Sequence, residues 1–405
     1  MPSKHPLISA ALVVAALGYF VDVYDLVLFL VVKNPSLQDL QVPPAAMLET
    51  GTALLNWQMF GMLLGGIVWG ILGDRIGRTK VLFGSILIYS LANIANAFVQ
   101  SIPVYAALRF IAGVGLAGEL GAGVTLVAEL LPQRLRGYGT TIIAGVGVFG
   151  AIMAGLLGDF LSWRTSYIVG GVLGLLLLAL RVSVAESTLF ASVKSHENTT
   201  RNIVRLLSSK RRFTKYLMCI VLGIPIWYII GILLANSRDL AVALHVPQVP
   251  KTGYCIALCY GGLLIGDIAG GVLSQYLASR KRPIAIFLML SLVLPLWFLT
   301  RESLSLGGFY LSYVMLGIAG GYWVLVVTMA AEQFGTNVRA TVTTSVPNFI
   351  RGAIVPVSEG FLLLKPSVGI INAAMYVGIF VGVLATIALA TLKETFSQDL
   401  DFIEE

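Results

Sequence analysis

Twelve apolar runs, each close to or beyond the roughly 20 residues that cross the hydrocarbon core of a bilayer, occupy most of this chain. They lie near residues 8–32, 51–73, 81–100, 104–131, 138–160, 164–182, 215–236, 252–277, 284–300, 306–331, 341–364 and 367–392. Backbone polar groups in lipid must be satisfied within the segment, so runs of this length fold as helices. Only 12% of the residues are charged and 57% are hydrophobic, against about a quarter charged in an ordinary soluble domain. The expectation is an all-α membrane protein with twelve transmembrane helices.

The net charge of +7 does not point to nucleic acid, because its distribution follows the helices. With both termini in the cytoplasm, the basic groups Arg75 to Lys80, Arg134 to Arg136, Lys210 to Lys215 and Arg280 to Arg282 all fall on the inner side. The outer side keeps only Lys33, Arg164, Arg238, Lys251, Arg301 and Lys365. That is a roughly threefold inner excess of the kind that sets topology. The first run is long and lacks a clear small-residue cleavage site, so it reads as an uncleaved anchor. A multi-pass protein of the cytoplasmic, or inner, membrane is expected. Cys219, Cys255 and Cys259 lie in apolar spans without disulfide-like spacing, and His5, His196 and His245 lie outside them. Neither a metal site nor a phosphate-cradling loop is expected, and no cofactor.

The chain repeats itself. Ala128-Glu129 and Arg136 recur as Ala331-Glu332 and Arg339, and Thr140-Thr141 as Thr343-Thr344, at a fixed offset of about half the 405 residues. This predicts two pseudo-symmetric six-helix bundles, 1–191 and 213–405, joined by a polar, basic cytoplasmic linker, 192–212. Repeats of this kind are how many secondary transporters are built.

Between the second and third runs stands Gly70-Ile71-Leu72-Gly73-Asp74-Arg75-Ile76-Gly77-Arg78-Thr79-Lys80. The positive-inside rule asks only for Lys and Arg, not for an Asp and glycines at fixed offsets. This loop resembles the signature loop of the major facilitator superfamily. Its second copy, Gly271 to Lys281, replaces the Asp-Arg pair by Gln275 and Tyr276, which predicts an asymmetric inner latch. Within that superfamily the first half is similar to the metabolite:proton symporters. Gly18, Asp22, Tyr24 and Asp25 follow that family's first-helix pattern, with Asp22 where Glu is usual and Val23 where Trp is usual. Arg109-Phe110 with Gly113, Gly118-Glu119 with Gly121, and Glu129, Pro132, Arg136 and Gly137 follow its fourth helix and exit. The resemblance implies alternating access, coupling to protons, and a cytoplasmic gate of Asp74, Arg75, Arg78, Glu129, Arg136, Glu332 and Arg339.

Charge inside the spans gives a second line to the site. An Asp or Arg at a span centre costs roughly 2.5–3.5 kcal/mol on insertion scales, so such groups face one another or a cavity. Asp22 lies about 21 Å into the first helix at 1.5 Å per residue, and Asp25 follows one turn on, on the same face. Two carboxylates that close do not both ionise readily, so a proton can be held there. Glu119 either faces them or makes a structural hydrogen bond. Arg109, about 15 Å away along the same helix, either anchors the bundle or handles the proton. Arg351, in the eleventh run beside Asn348, can grip a carboxylate with a two-pronged hydrogen bond. Otherwise it pairs with Glu359 or Asp267. Tyr24 and Trp323 are further candidates for the substrate pocket, and Trp227, Tyr228 and Tyr322 for its apolar wall.

The reading is a transporter and not an enzyme: a monomer in the lipid bilayer that moves a small organic anion or zwitterion together with protons. A drug or metabolite exporter working as a proton antiporter is the first alternative, although the fifth run, from Gly145 to Gly155, lacks the proline such exporters show. A sensor derived from a transporter is the second.

Overall fold

A computed structural model describes residues 10–76, 78–118, 136–186 and 208–396. Every element among them is helical: α1 (Ala10–Asp39), α2 (Met47–Ile76), α3 (Arg78–Asn96), α4 (Ile102–Leu116), α5 (Arg136–Phe160) and α6 (Trp163–Glu186) in the first half. The second half has α7 (Lys210–Tyr228), α8 (Ser237–Ala243), α9 (Thr252–Tyr276), α10 (Lys281–Leu299), α11 (Leu306–Gly320), α12 (Trp323–Glu332), α13 (Thr336–Gly352) and α14 (Ile354–Thr391). A π-helical turn, Ile229–Leu234, follows α7.

Among the described residues, eight stretches are long and apolar enough to cross a membrane. One of them, Thr341–Thr391, runs to 51 residues, twice what one crossing needs. It breaks at Gly369, whose φ of 80° is left-handed and suits glycine. Three shorter apolar helices, Lys80–Asn96, Ile102–Leu116 and Gly145–Phe160, bring the crossings to twelve.

The chain separates into two compact units. One holds Met1–Val42 and Trp57–Thr200; the other holds Pro43–Asn56 and Arg201–Glu405, so the start of α2 groups with the second. In the first unit α1 packs on α5 and α6, and α3 on α4 and α6. In the second, α7 packs on α13 and α14, α9 on α11, and α10 on α14.

A repeat finer than the shared Ala-Glu and Arg positions is written in backbone contacts. A Cβ on Gly61 would run into the Phe110 carbonyl, and one on Gly113 into the Gln58 carbonyl. The second unit repeats this pattern: Gly262 lies against the Val314 carbonyl and Gly317 against that of Cys259. Without a hydrophobic force between helices in lipid, close backbone approach through small residues is a main source of association. The paired spacings Gly61/Gly65 and Gly262/Gly266 carry this signal in the sequence.

Three expectations shift. Helix α1 does not end near residue 32 but continues to Asp39, so Lys33, expected in an outer loop, is a buried helical residue. The tenth run is two helices, broken at Gly321 and Tyr322 between α11 and α12. The last two runs meet at Gly369 and not at residues 365–366, and an earlier break at Ala353 separates α13 from α14.

Candidate functional site

Each unit carries its own buried polar cluster. In the first, Asp22, Asp25 and Arg109 are all fully buried, on α1 and α4. Asp25 faces Asp22, the Arg109 guanidinium and Asn93 of α3. Gly170 of α6 keeps room for it, since a Cβ there would strike its Oδ1. Two rings lie beside Arg109, with its Cζ 4.7 Å from the Phe29 centroid and 5.8 Å from that of Tyr167. Its Nη2 donates to Oε1 of Gln58 on α2. Towards the Asp39 end of α1, Tyr105 and Tyr167 share a hydrogen bond of 2.7 Å between hydroxyls, and Tyr105 reaches Ser36 at 3.3 Å. Tyr24, a candidate for the substrate pocket, is buried in the interior of this unit with its hydroxyl donating to the Ser166 carbonyl.

The second cluster centres on Arg351, near the end of α13 and 2% exposed. Its Nε and Nη1 are buried without a hydrogen-bond partner, and its Cζ lies 5.7 Å from the Trp227 ring. Asn348, one turn earlier, is fully buried and donates to the Thr344 carbonyl.

Both acids that sequence offered as structural partners for Arg351 are engaged elsewhere. Glu359 accepts a 2.7 Å hydrogen bond from Asn56 Nδ2, while Ser358 donates to Asn56 Oδ1 at the same distance. Asp267 of α9 accepts from the backbone N–H of Val324 at 3.2 Å and from that of Trp323. These are first-turn amides of α12, whose unsatisfied donors and positive dipole end favour a carboxylate. Trp323, at that helix start, is half-buried.

The gate residues divide. Glu119 and Glu129 lie outside the described residues. Asp74 and Arg75 stand in the last turn of α2, Arg78 opens α3 and Arg136 opens α5; this placement is all that is described of them. In the second unit, Arg280 grips Glu332 two-pronged, Nη2 to Oε1 at 2.9 Å and Nε to Oε2 at 3.1 Å, and Thr395 adds a 2.7 Å bond to Oε2. Arg339 instead donates from Nε to the Ala331 and Phe334 carbonyls, at the end of α12 where a cation suits the dipole. Arg280, next to last in the altered second copy of the signature loop, was not among the gate residues expected from sequence. Within that copy Ala278 takes a left-handed φ of 45° at the place Gly77 holds in the first.

Glu394 closes this network. It accepts from the Ser279 hydroxyl and from the backbone N–H of Arg280 at 2.7 Å and Lys281 at 3.2 Å, capping α10. Partial burial pushes its carboxyl up, but the hydrogen bonds from Ser279, Arg280, Lys281 and Thr395 outweigh it and bring it from 4.5 down to about 2. A carboxyl lowered on folding stabilises the fold above its unfolded value and loses that contribution as pH falls through the folded one. Glu394→Gln is therefore expected to melt lower than the parent at pH 7, with the gap narrowing below pH 4.5 and closing near about 2. A gap that does not change with pH in thermal denaturation would contradict this account.

Apolar helices enough for twelve crossings, with ionisable groups buried inside them and no strand among the described residues, define a polytopic membrane protein. The family model of the Major Facilitator Superfamily matches residues 15–357, and the chain belongs to that superfamily. It is a transporter rather than an enzyme. A chain of Haemophilus influenzae named for metabolite transport is 29% identical over 400 residues, covering 94% of this chain and 95% of its own. The gentisate transporter of Corynebacterium glutamicum is 25% identical over 414 residues, covering 96% and 89%. Among solved structures, a D-xylose-proton symporter superposes with a TM-score of 0.73 at 16% identity, covering 96% of this chain and 98% of that one. At that identity the likeness is one of fold.

Proposed function

We propose that this protein is a proton-coupled symporter of a small organic carboxylate, working by alternating access between its two six-helix halves. The observation that carries the reading is Arg351: a buried guanidinium with two unpartnered nitrogens, while Glu359 and Asp267 are occupied by Asn56 and by α12. A cation in that position favours an anionic group arriving from outside the protein, and a carboxylate matches its geometry. Trp227 beside it offers a ring face, which suits an aromatic acid. Relatives named for gentisate, benzoate and niacin transport point the same way. Asn348 and Trp323 line the substrate's path in this reading, and the proton rides on Asp25, beside Asp22 and Arg109, with Glu119 as a further acid. Asp74, Arg75, Arg78, Glu129, Arg136, Glu332 and Arg339 close the cytoplasmic side, and both termini face the cytoplasm across the inner membrane.

The test is uptake into proteoliposomes. Nicotinate and benzoate are offered with an inward pH gradient, against xylose and an amino acid as controls. Accumulation of an aromatic acid, abolished by a protonophore, supports symport. Accumulation of xylose alone would overturn the carboxylate reading, and binding without flux would favour a sensor.

A further inference from the structure

We propose that Gln58 is the neutral partner to which Arg109 withdraws when Asp25 holds a proton, so that this amide sets how tightly the proton is held. The inference rests on the coupling reading of Asp25 and adds a positioning residue to it.

Gln58 and Arg109 are both fully buried, and the guanidinium donates to the Gln58 amide and lies within reach of the Tyr167 hydroxyl, with no carboxylate bonded to it among the described residues. Nε and Nη1 of Arg109 and Nε2 of Gln58 have no partner among the described residues. The approach of the two helices is fixed at this point. Gly113, one turn beyond Arg109, lets α4 lie directly against the Gln58 carbonyl, which sets Arg109 and Gln58 side by side. The Phe29 and Tyr167 rings lie beside the guanidinium, their centroids 4.7 Å and 5.8 Å from its Cζ. Its movement in this inference is between the amide and Asp25.

Among the described residues, the groups facing Asp25 are Asp22 and Tyr24 on α1, Asn93 on α3, Arg109 on α4 and Tyr167 on α6. Arg109 is the one cation among them. When Asp25 gives its proton to water, the new carboxylate competes with the amide for the guanidinium. Both bonds carry the charge of the guanidinium, but the carboxylate adds a full opposite charge and a second acceptor oxygen, which an amide lacks, so the guanidinium crosses over. Reprotonation of Asp25 from water neutralises the carboxylate and sends Arg109 back. Gln58 stabilises the protonated state by giving the displaced cation somewhere to go.

Opposite shifts are expected from two substitutions. Gln58→Leu removes the neutral acceptor, leaves Arg109 on the carboxylate and weakens proton binding. Gln58→Glu holds Arg109 permanently and places a second anion nearby, which strengthens it. The readout is an infrared titration of the purified protein without substrate, following the carboxyl band that Asp25→Asn removes. The midpoint is expected to fall by at least about one pH unit in Gln58→Leu and to rise by as much in Gln58→Glu, a tenfold change in proton affinity each way. An Asp25 band with an unmoved midpoint in Gln58→Glu, or shifts of the same sign in both variants, overturns the role of Gln58 alone. Absence of any titrating Asp25 band overturns the coupling reading and this inference with it. If Gln58→Leu fails to fold, the near-isosteric Gln58→Glu decides.

Discussion

Proteoliposomes carrying Asp25→Asn are expected to exchange labelled for unlabelled nicotinate or benzoate and to accumulate neither against a gradient. Asp25 is 1% exposed and sits among Asp22, Arg109 and Asn93, so its charge state is tied to where Arg109 points. Asparagine keeps the shape and part of the hydrogen bonding but neither takes up nor releases a proton. With one proton per substrate, a gradient of one pH unit supports about tenfold accumulation, since tenfold in concentration is about 1.4 kcal/mol. That tenfold per unit is what the variant loses, while exchange, which needs no net proton movement, continues. Asp22→Asn tests which acid carries the load. Full gradient-driven accumulation in both variants would remove this acidic pair from the mechanism.

The helices were legible in the sequence because lipid imposes one length on every crossing. Their interruptions were not, because these are made by residues remote in the chain. Apolar character continues unbroken through Gly321 and Tyr322, yet the helix restarts at Trp323 because Asp267, on another helix, accepts its first free amides. The buried ions were legible for a similar reason: Asp25, Arg109 and Arg351 are expensive in lipid and stand out against it. Their partners were harder to see. Glu359 lies two turns beyond Arg351, which made it a natural mate on one helix face, but the chain breaks at Ala353 and the acid bonds to Asn56 instead. Gln58 is one of two uncharged amides, with Asn56, in an apolar run, a signal too weak to notice until Arg109 is seen to end on it. Arg280 was not among the expected gate residues because the loop it stands in had lost its Asp-Arg pair. Its two-pronged grip on Glu332 shows that a cation one position along retained an ion pair at this end of the second unit.

Arg351→Lys is expected to weaken binding of the transported carboxylate by at least about tenfold, or roughly 1.4 kcal/mol, and Arg351→Gln by more. Lysine keeps the charge but presents it as a point on a flexible stem, so the two parallel hydrogen bonds of a guanidinium to a carboxylate cannot form. Glutamine loses the charge as well and leaves a buried carboxylate without a counterion, which costs more than a neutral unpaired group. Neither change should unfold the protein. Among the described residues Arg351 makes no ion pair, and the two acids in reach by sequence are bound by Asn56 and by the start of α12. Isothermal titration with benzoate or nicotinate, alongside melting temperatures of the same preparations, separates the outcomes. Unchanged affinity with a lowered melting temperature would make Arg351 a structural residue, resting on Trp227 and nothing more. Lost affinity at an unchanged melting temperature would make it the residue that selects anions.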